Sequence, residues 1–253
     1  MSHNISNFSG IYAESYDQLY LSLDPVSELK QAEIFCEVSQ KDSPTVIDVG
    51  GGTGRFASLL CQRYRHVYLV EPSTAMTAIA EAKLTNCQNL TIINGNAQNF
   101  EIDIKAEGAY LMFSVASYFS SPTIFRTAIE NIISNLVPRS FIYFDIWESS
   151  KSTFDGFRST VKRFTQNGTE YERIVTINPD SIVEKEEGFH TLDLTISFQK
   201  LQTVDVYREN HELALITKKW ILDFCALNTK IDQVRTRKNP MKANNLEVCI
   251  LLK

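Results

Sequence analysis

Four glycines stand within five positions of "VIDVGGGTGRF", residues 46–56, directly behind an apolar run that reads as a buried strand. Glycine costs about 0.5–1 kcal/mol relative to alanine inside regular structure. Such a cluster marks a turn where backbone comes close to something, and its spacing excludes two ligands. A triphosphate-binding loop ends in Gly-Lys-Ser/Thr, whereas Gly54 is followed by Arg55 and Phe56. A dinucleotide fingerprint is G-x-G-x-x-G/A; counted from Gly50 and Gly52, its third small residue falls on Arg55. What stands here is G-x-G-x-G with Asp48 inside the preceding strand. An acid there suits a ligand carrying an amino group, not one carrying a pyrophosphate.

The loop belongs to an alternating pattern. "TVIDVG", "HVYLVE", "LTIING", "GAYLMFS" and "SFIYFDIW" read as strands. "GRFASLLCQRY", "STAMTAIAEAKL" and "PTIFRTAIENIISNLV" read as the intervening helices, the second with Ser73 as N-cap. Short apolar runs alternating with helices predict an α/β fold: a doubly wound, mostly parallel sheet covered on both faces. Two helical stretches, "IYAESYDQLY" and "PVSELKQAEIFCEVSQ", precede it.

After Glu148 the texture changes. Asn167-Gly168 separates two alternating segments, a hairpin signal. In "FHTLDLTISFQ", Leu192, Leu194, Ile196 and Phe198 share one face and Thr191, Asp193, Thr195 and Ser197 the other; "VYRENHELALI" is a further strand candidate. An antiparallel sheet over 153–216 is therefore predicted as an insertion into an α/β domain of residues 1–152 and 217–253. That domain closes with the helix "KKWILDFCALN" and the strand "LEVCILL". Between these two, Lys230, Arg235, Arg237, Lys238 and Lys242 fall in a stretch that reads as a loop, and its charge suits an anionic part of a substrate.

With 253 residues, 43% of them hydrophobic, the chain is long enough for one large core plus an insertion. A net charge of −5 supplies no overall basic field for nucleic acid or an anionic membrane. The opening "MSHNISNFSG" lacks the apolar core of a signal peptide, and no apolar run approaches the roughly 20 residues that cross a bilayer. Five scattered cysteines without a CxxC pair argue against a disulfide framework and a zinc site, and fit a reducing, cytoplasmic setting.

Asp48 with Gly50-Gly51-Gly52-Thr53-Gly54 resembles motif I of the class I S-adenosylmethionine-dependent methyltransferases, and the likeness continues over about residues 12–148. Glu71 ends the second strand about 20 residues past the loop, where a carboxylate accepts hydrogen bonds from ribose hydroxyls. "EPSTAM" resembles the family's acid followed by Ser-x-x-Met, which would put Met76 near adenine. "NGNAQNF" resembles a Gly-Asp-Ala segment, with Asn96 in place of the aspartate and Ala97 following. "SNLVPRSFIYFDIW" resembles a Leu-x-Pro-Gly-Gly turn, with Arg139-Ser140 in place of the glycines. The resemblance implies a Rossmann-like seven-stranded sheet and S-adenosyl-L-methionine as cofactor, with S-adenosyl-L-homocysteine as product. It implies Tyr16, Asp48, Gly50, Gly52, Glu71, Met76, Asn96, Ala97 and Phe113 as cofactor-binding residues.

"FSGIYAESYDQLY", "LMFSVASYF", the inserted sheet and "ENHELALITKKWILDF" together resemble the N-methyltransferases of nucleotide-linked aminosugars. That likeness implies a small-molecule acceptor, an insertion covering the active site and pairing of two copies through it. Phe8 stands where members often have tyrosine, and Tyr118 where several have histidine. Tyr118 and His211 are the catalytic candidates, expected on opposite walls of one pocket; Tyr12, Asp145, Trp147, Arg235 and Arg237 are the substrate-side candidates. Glu148 is a further acid at the sheet edge. Methyl transfer from a sulfonium needs alignment and desolvation above all; a hydroxyl acceptor would also need a base, an amine acceptor would not. Three readings remain open: a small-molecule N- or O-methyltransferase, an enzyme acting on protein or nucleic acid, and a catalytically silent cofactor-binding scaffold.

Overall fold

The computed structural model describes residues 8, 10–38, 44–149, 158–203 and 205–253. Two helices come first, α1 (Gly10–Leu19) and α2 (Pro25–Phe35), the second capped by Asp24, which accepts from the Val26 and Ser27 amides. Alternation follows: β1 (Thr45–Val49), α3 (Ala57–Leu60), β2 (His66–Glu71), α4 (Thr74–Lys83), β3 (Leu90–Asn94), β4 (Ala106–Leu111), α5 (Pro122–Ser134) and β5 (Leu136–Trp147). The expected Ser73 cap of α4 is present, its hydroxyl accepting from the Met76 amide at 3.2 Å. The helix expected over "GRFASLLCQRY" is regular only at 57–60, with turns on both sides.

A second sheet follows, built from β6 (Arg158–Gln166), β7 (Thr169–Ile177), β8 (Val183–Glu186), β9 (Phe189–Lys200) and β10 (Val206–Ile216). The chain returns through α6 (Lys218–Leu227), β11 (Ile231–Lys238) and β12 (Asn245–Leu252). The seven-stranded main sheet runs β11-β12-β5-β4-β1-β2-β3, and β12 is antiparallel to both its neighbours while β1 to β5 pair in parallel. The expected class I arrangement is what is found. α2, α3 and α4 pack on one face around Leu29, Leu60 and Ala80, while α5 and α6 pack on the other around Phe125, Ile129 and Trp220.

β11 corrects the reading of 230–242 as a loop. It is an edge strand whose neighbour among the described strands is β12, and edge strands carry charged side chains that blunt further pairing. Its apolar alternation is therefore masked by Asp232, Arg235, Arg237 and Lys238.

The second sheet is antiparallel, ordered β10-β9-β7-β6 with β8 beside β9. Asn167 (φ 50°) and Gly168 (φ 77°) make its β6–β7 turn in the left-handed geometry that suits strand twist. The predicted inner face of β9 is buried at Leu192, Leu194, Ile196 and Phe198. The expected start of the insertion at 153 lies outside the described residues. α1 packs into the same cluster through Tyr12 and Leu19, and Asp17 ties it to the glycine loop by accepting from Thr53 Oγ1 at 2.6 Å and Lys83 Nζ at 2.6 Å.

Candidate active site

Chain order leaves β1 toward β2 and β3 on one side and toward β4 and β5 on the other, so the carboxyl ends of β1 and β4 form the switch point where open α/β sheets bind ligands. A cleft of about 620 Å³ opens there, roofed by α1 and the second sheet, within the roughly 300–1,000 Å³ of ordinary ligand sites.

One end of the cleft is built by the glycine loop and the ends of β2 and β3. Gly52 has φ 55°, and a Cβ built on it meets nothing within 4 Å, so its backbone is bare toward the cleft it lines. Gly54 (φ 76°) serves packing instead. A Cβ there would lie 2.4 Å from Leu84, which follows α4, so this glycine lets the loop sit close against that helix. Asp48 is 1% exposed, and its Oδ2 has no hydrogen-bond partner. Burial, with the nearby Glu71 charge adding, pushes its carboxyl up to about 7. Glu71 accepts from the Gly52 amide at 3.0 Å and the Ser73 amide at 2.8 Å, and burial raises it above the usual carboxylate range. Met76, Asn96 and Ala97 line the same end, with Asn96 Oδ1 accepting from the Gln98 amide at 3.1 Å.

The other end is aromatic and aliphatic. Tyr12, Tyr16 and Tyr20 come from α1, Phe113 and Tyr118 from the segment after β4, and Trp147 from the end of β5. The inserted sheet supplies Val175, Ile177, Leu194, Ile196 and Leu213. Phe113 (φ 65°) and Ser114 (φ 61°) are consecutive left-handed residues, a strain of about 1–3 kcal/mol each that must be held from outside. Asp145 is what holds it: its carboxylate accepts from the Ser114 amide at 2.8 Å, the Ser114 hydroxyl at 3.0 Å and Asn245 Nδ2 at 2.7 Å. Asp145 thus stands one layer behind the cleft and supports its wall.

Tyr118 and His211 are brought together, their ring centroids 5.7 Å apart and nearly perpendicular. They do not face one another across open space. Tyr118 lines the cleft; His211, 1% exposed, lies behind it against Phe8 and Tyr12, with Nε2 at 3.1 Å from Glu209 Oε2. That carboxylate also accepts the Phe8 amide at 2.9 Å. Arg235 and Arg237 are displaced from the cleft altogether. On β11 they pair with Glu37 and Glu247, and Arg237 stacks over Phe35 with 4.3 Å from its guanidinium carbon to the ring centre. Of the basic stretch, Lys242 does line the cleft, but Glu28 at 2.9 Å and Asp145 at 3.4 Å already neutralise it.

Residues 46–139 match the methyltransferase domain family. Over 198 residues, 75% of this chain and 89% of the other, the sequence is 28% identical to an uncharacterized methyltransferase of Bacillus licheniformis. The fold is similar to the sugar N-methyltransferase KedS8 of Streptoalloteichus, with TM-score 0.75 and 16% identity over 100% of this chain and 98% of that one. It is also similar to CalS10, an amino pentose methyltransferase of Micromonospora echinaspora solved with the cofactor bound, with TM-score 0.71 and 15% identity over 96% and 98%. Residues 46–139 are thus a methyltransferase domain by that match, and the chain as a whole has the class I methyltransferase fold.

The cofactor of such a domain is S-adenosylmethionine, and the cleft fits it. A bare glycine backbone, a buried carboxylate at Asp48 with its Oδ2 unpartnered and a second carboxylate at Glu71 are the groups that a cationic amino acid joined to a ribose would use. Arg55 belongs with them, although the sequence reading passes over it. It lines the cleft, donates to the Leu23 carbonyl at 2.7 Å and pairs with no carboxylate among the described residues, which leaves it free to meet the ligand's own carboxylate. Its position, one residue past the last glycine, is the signal that could have found it. Arg173 and Tyr20 also line the cleft; only their places on alternating or helical faces could have pointed to them. Among the described residues no group of three or more His, Cys, Asp or Glu is placed to hold a metal, and no helix is long and apolar enough to cross a membrane.

Proposed function

We propose that this protein transfers a methyl group from S-adenosylmethionine to a small molecule, and that of the two acceptor atoms open to it, nitrogen and oxygen, the acceptor is an amine nitrogen. The sulfonium would supply an activated methyl group: the C–S bond breaks as the C–N bond forms, sulfur keeps the electron pair, and the resulting ammonium releases its proton to water. The observation that carries the choice of nitrogen is that, among the described residues lining the acceptor end of the cleft, none is a histidine or a carboxylate. Burial holds the phenols of Tyr12, Tyr16 and Tyr118 above their ordinary pKa, so they stay protonated at neutral pH and orient rather than deprotonate. His211 is behind Tyr118 and Asp145 is behind Ser114, while Asp48 and Glu71 serve the other end. A hydroxyl acceptor needs a base poised near the working pH; a neutral amine does not. Tyr12, Tyr16, Tyr118 and Trp147 then position the amine and exclude water.

The relatives named for sugar and amino pentose methylation put nucleotide-linked amino sugars and other secondary metabolites among the candidate acceptors. A cytoplasmic location and pairing of two copies through the inserted sheet belong to the same reading, the latter testable by light scattering. The decisive experiment incubates the full chain with methyl-labelled S-adenosylmethionine and matched amino and hydroxy compounds, including nucleotide-linked sugars. N-methylated product from the amines alone supports the reading; label in the hydroxy compounds alone overturns the choice of nitrogen.

A further inference from the structure

Three cations among the described residues line the cleft, and they differ in what neutralises them. Lys242 has two carboxylates and Arg55 lies at the glycine loop. Arg173, on the inserted sheet, has neither. Its Nη1 donates to the Tyr20 hydroxyl at 3.1 Å and its guanidinium carbon lies 5.6 Å from that ring's centre, but its Nε is shielded from solvent with no partner. No carboxylate among the described residues pairs with it, although Arg163 on the neighbouring strand pairs with Glu172 at 2.9 Å. Directly across the strand pair stands Lys162, whose ammonium donates to the Leu19 carbonyl at the end of α1. Like charges opposite one another destabilise a sheet, and an orphaned buried donor adds its own desolvation cost. The charge penalty is relieved by an anion from outside the chain that meets the guanidinium from the cleft Arg173 lines.

The surroundings define the rest of that ligand. Val175 and Ile177 follow Arg173 at alternate positions of β7, so all three share the face that lines the cleft. With Leu194, Ile196 and Leu213 they make an aliphatic wall, which contributes one hydroxyl, that of Thr160. Four residues of strand span about 13 Å, the distance over which one small molecule would reach from the cation along the wall.

Resting on the amine methyltransferase reading above, we propose that the acceptor is an amine with an apolar body ending in a compact anion, a phosphate or a carboxylate, and that Arg173 binds this anion. Arg173 is then a specificity-determining residue, and a sugar's ring of hydroxyls is a poor fit to the wall that follows it.

The test uses the full chain saturated with S-adenosylhomocysteine and calorimetric titration of four amines. These are tyramine O-phosphate, 4-(2-aminoethyl)benzoate, the uncharged 2-(4-methylphenyl)ethylamine and glucosamine 6-phosphate. A charge-assisted contact makes one or both anionic aromatic amines bind about tenfold or more tighter than the neutral one, and whichever binds identifies phosphate or carboxylate. Arg173→Gln removes that preference, Arg173→Lys keeps part of it and Arg163→Gln leaves it unchanged. Unchanged affinity for S-adenosylhomocysteine in the Arg173 variants shows that they are folded. Equal binding of charged and neutral aromatic amines, or a preference that survives Arg173→Gln, overturns the anion site. Tighter binding of glucosamine 6-phosphate than of tyramine O-phosphate overturns the apolar body. A wild-type chain that does not bind S-adenosylhomocysteine overturns the underlying methyltransferase reading, a separate failure.

Discussion

Asp48 makes opposite contributions to folding and to cofactor binding, and pH separates them. Its carboxyl moves from an ordinary 3.8 to about 7 in the folded chain because it is buried beside Glu71 with Oδ2 unpartnered. Between these values the folded chain holds a proton that the unfolded chain has released, so folding stability falls as pH rises. The contribution is full below about pH 4 and lost as pH rises through about 7; at about 1.4 kcal/mol per unit it amounts to about 4 kcal/mol. Between pH 5 and 7 alone, wild type should lose about 2–3 kcal/mol relative to Asp48→Asn, which cannot ionise. A cationic amino group at the same carboxylate favours its charged form. Affinity for S-adenosylhomocysteine should therefore climb with pH and level off above about 7, by as much as about tenfold per unit below it. Urea denaturation of both proteins at pH 5, 6, 7 and 8, with titrations of the product at each pH, measures both effects. Parallel stability curves for wild type and Asp48→Asn, or a pH-independent affinity in wild type, would refute the argument.

Gly52→Val should fold, since its Cβ enters open space, at about 1–2 kcal/mol for the left-handed backbone. Its loss of S-adenosylhomocysteine affinity should far exceed its loss of stability when titration is compared with thermal melting. Tyr118→Phe should lower turnover about 10–100-fold, within the usual range for lost positioning or proton handling, without adding a pH dependence. His211→Gln should act through the same wall and be no more severe; loss of all activity in His211→Gln with Tyr118→Phe active would mean that His211 is a base after all. Arg237→Gln should leave acceptor KM unchanged and cost about 1–3 kcal/mol in denaturation, because it strips a charged partner from Glu247, which is 2% exposed.

The α/β architecture was legible because its parallel strands are buried on both faces and read as short apolar runs; β1, buried at every position, is the plainest case. The cofactor end was legible because glycine spacing and strand-end acids are local in sequence: Asp48, Gly52, Glu71, Met76, Asn96 and Ala97 all meet in one place. The acceptor end was not, because it is assembled from α1, the segment after β4 and an inserted sheet distant in sequence. There a charge alone does not tell which strand face it occupies. Arg235 and Arg237 looked suited to a substrate anion and are spent on Glu37 and Glu247. Arg173, which no local pattern singles out, is the inserted-sheet cation in the cleft with a buried, unpartnered Nε. His211 is expected across a pocket from Tyr118, whereas its ring lies beside Tyr118 and is buried against Phe8 and Tyr12, a closure that no local pattern encodes.

The central claim is that the glycine loop with Asp48 and Glu71 receives an aminoacyl-bearing nucleoside and not a dinucleotide. Calorimetric titration of the full chain with S-adenosylmethionine, S-adenosylhomocysteine and NAD at pH 7.5 tests it most directly. The expected result is saturable one-to-one binding of the first two, lost in Gly52→Val and weakened by about 1–3 kcal/mol in Glu71→Ala, with no binding of NAD. Tight binding of NAD with no response to either sulfur compound would contradict it.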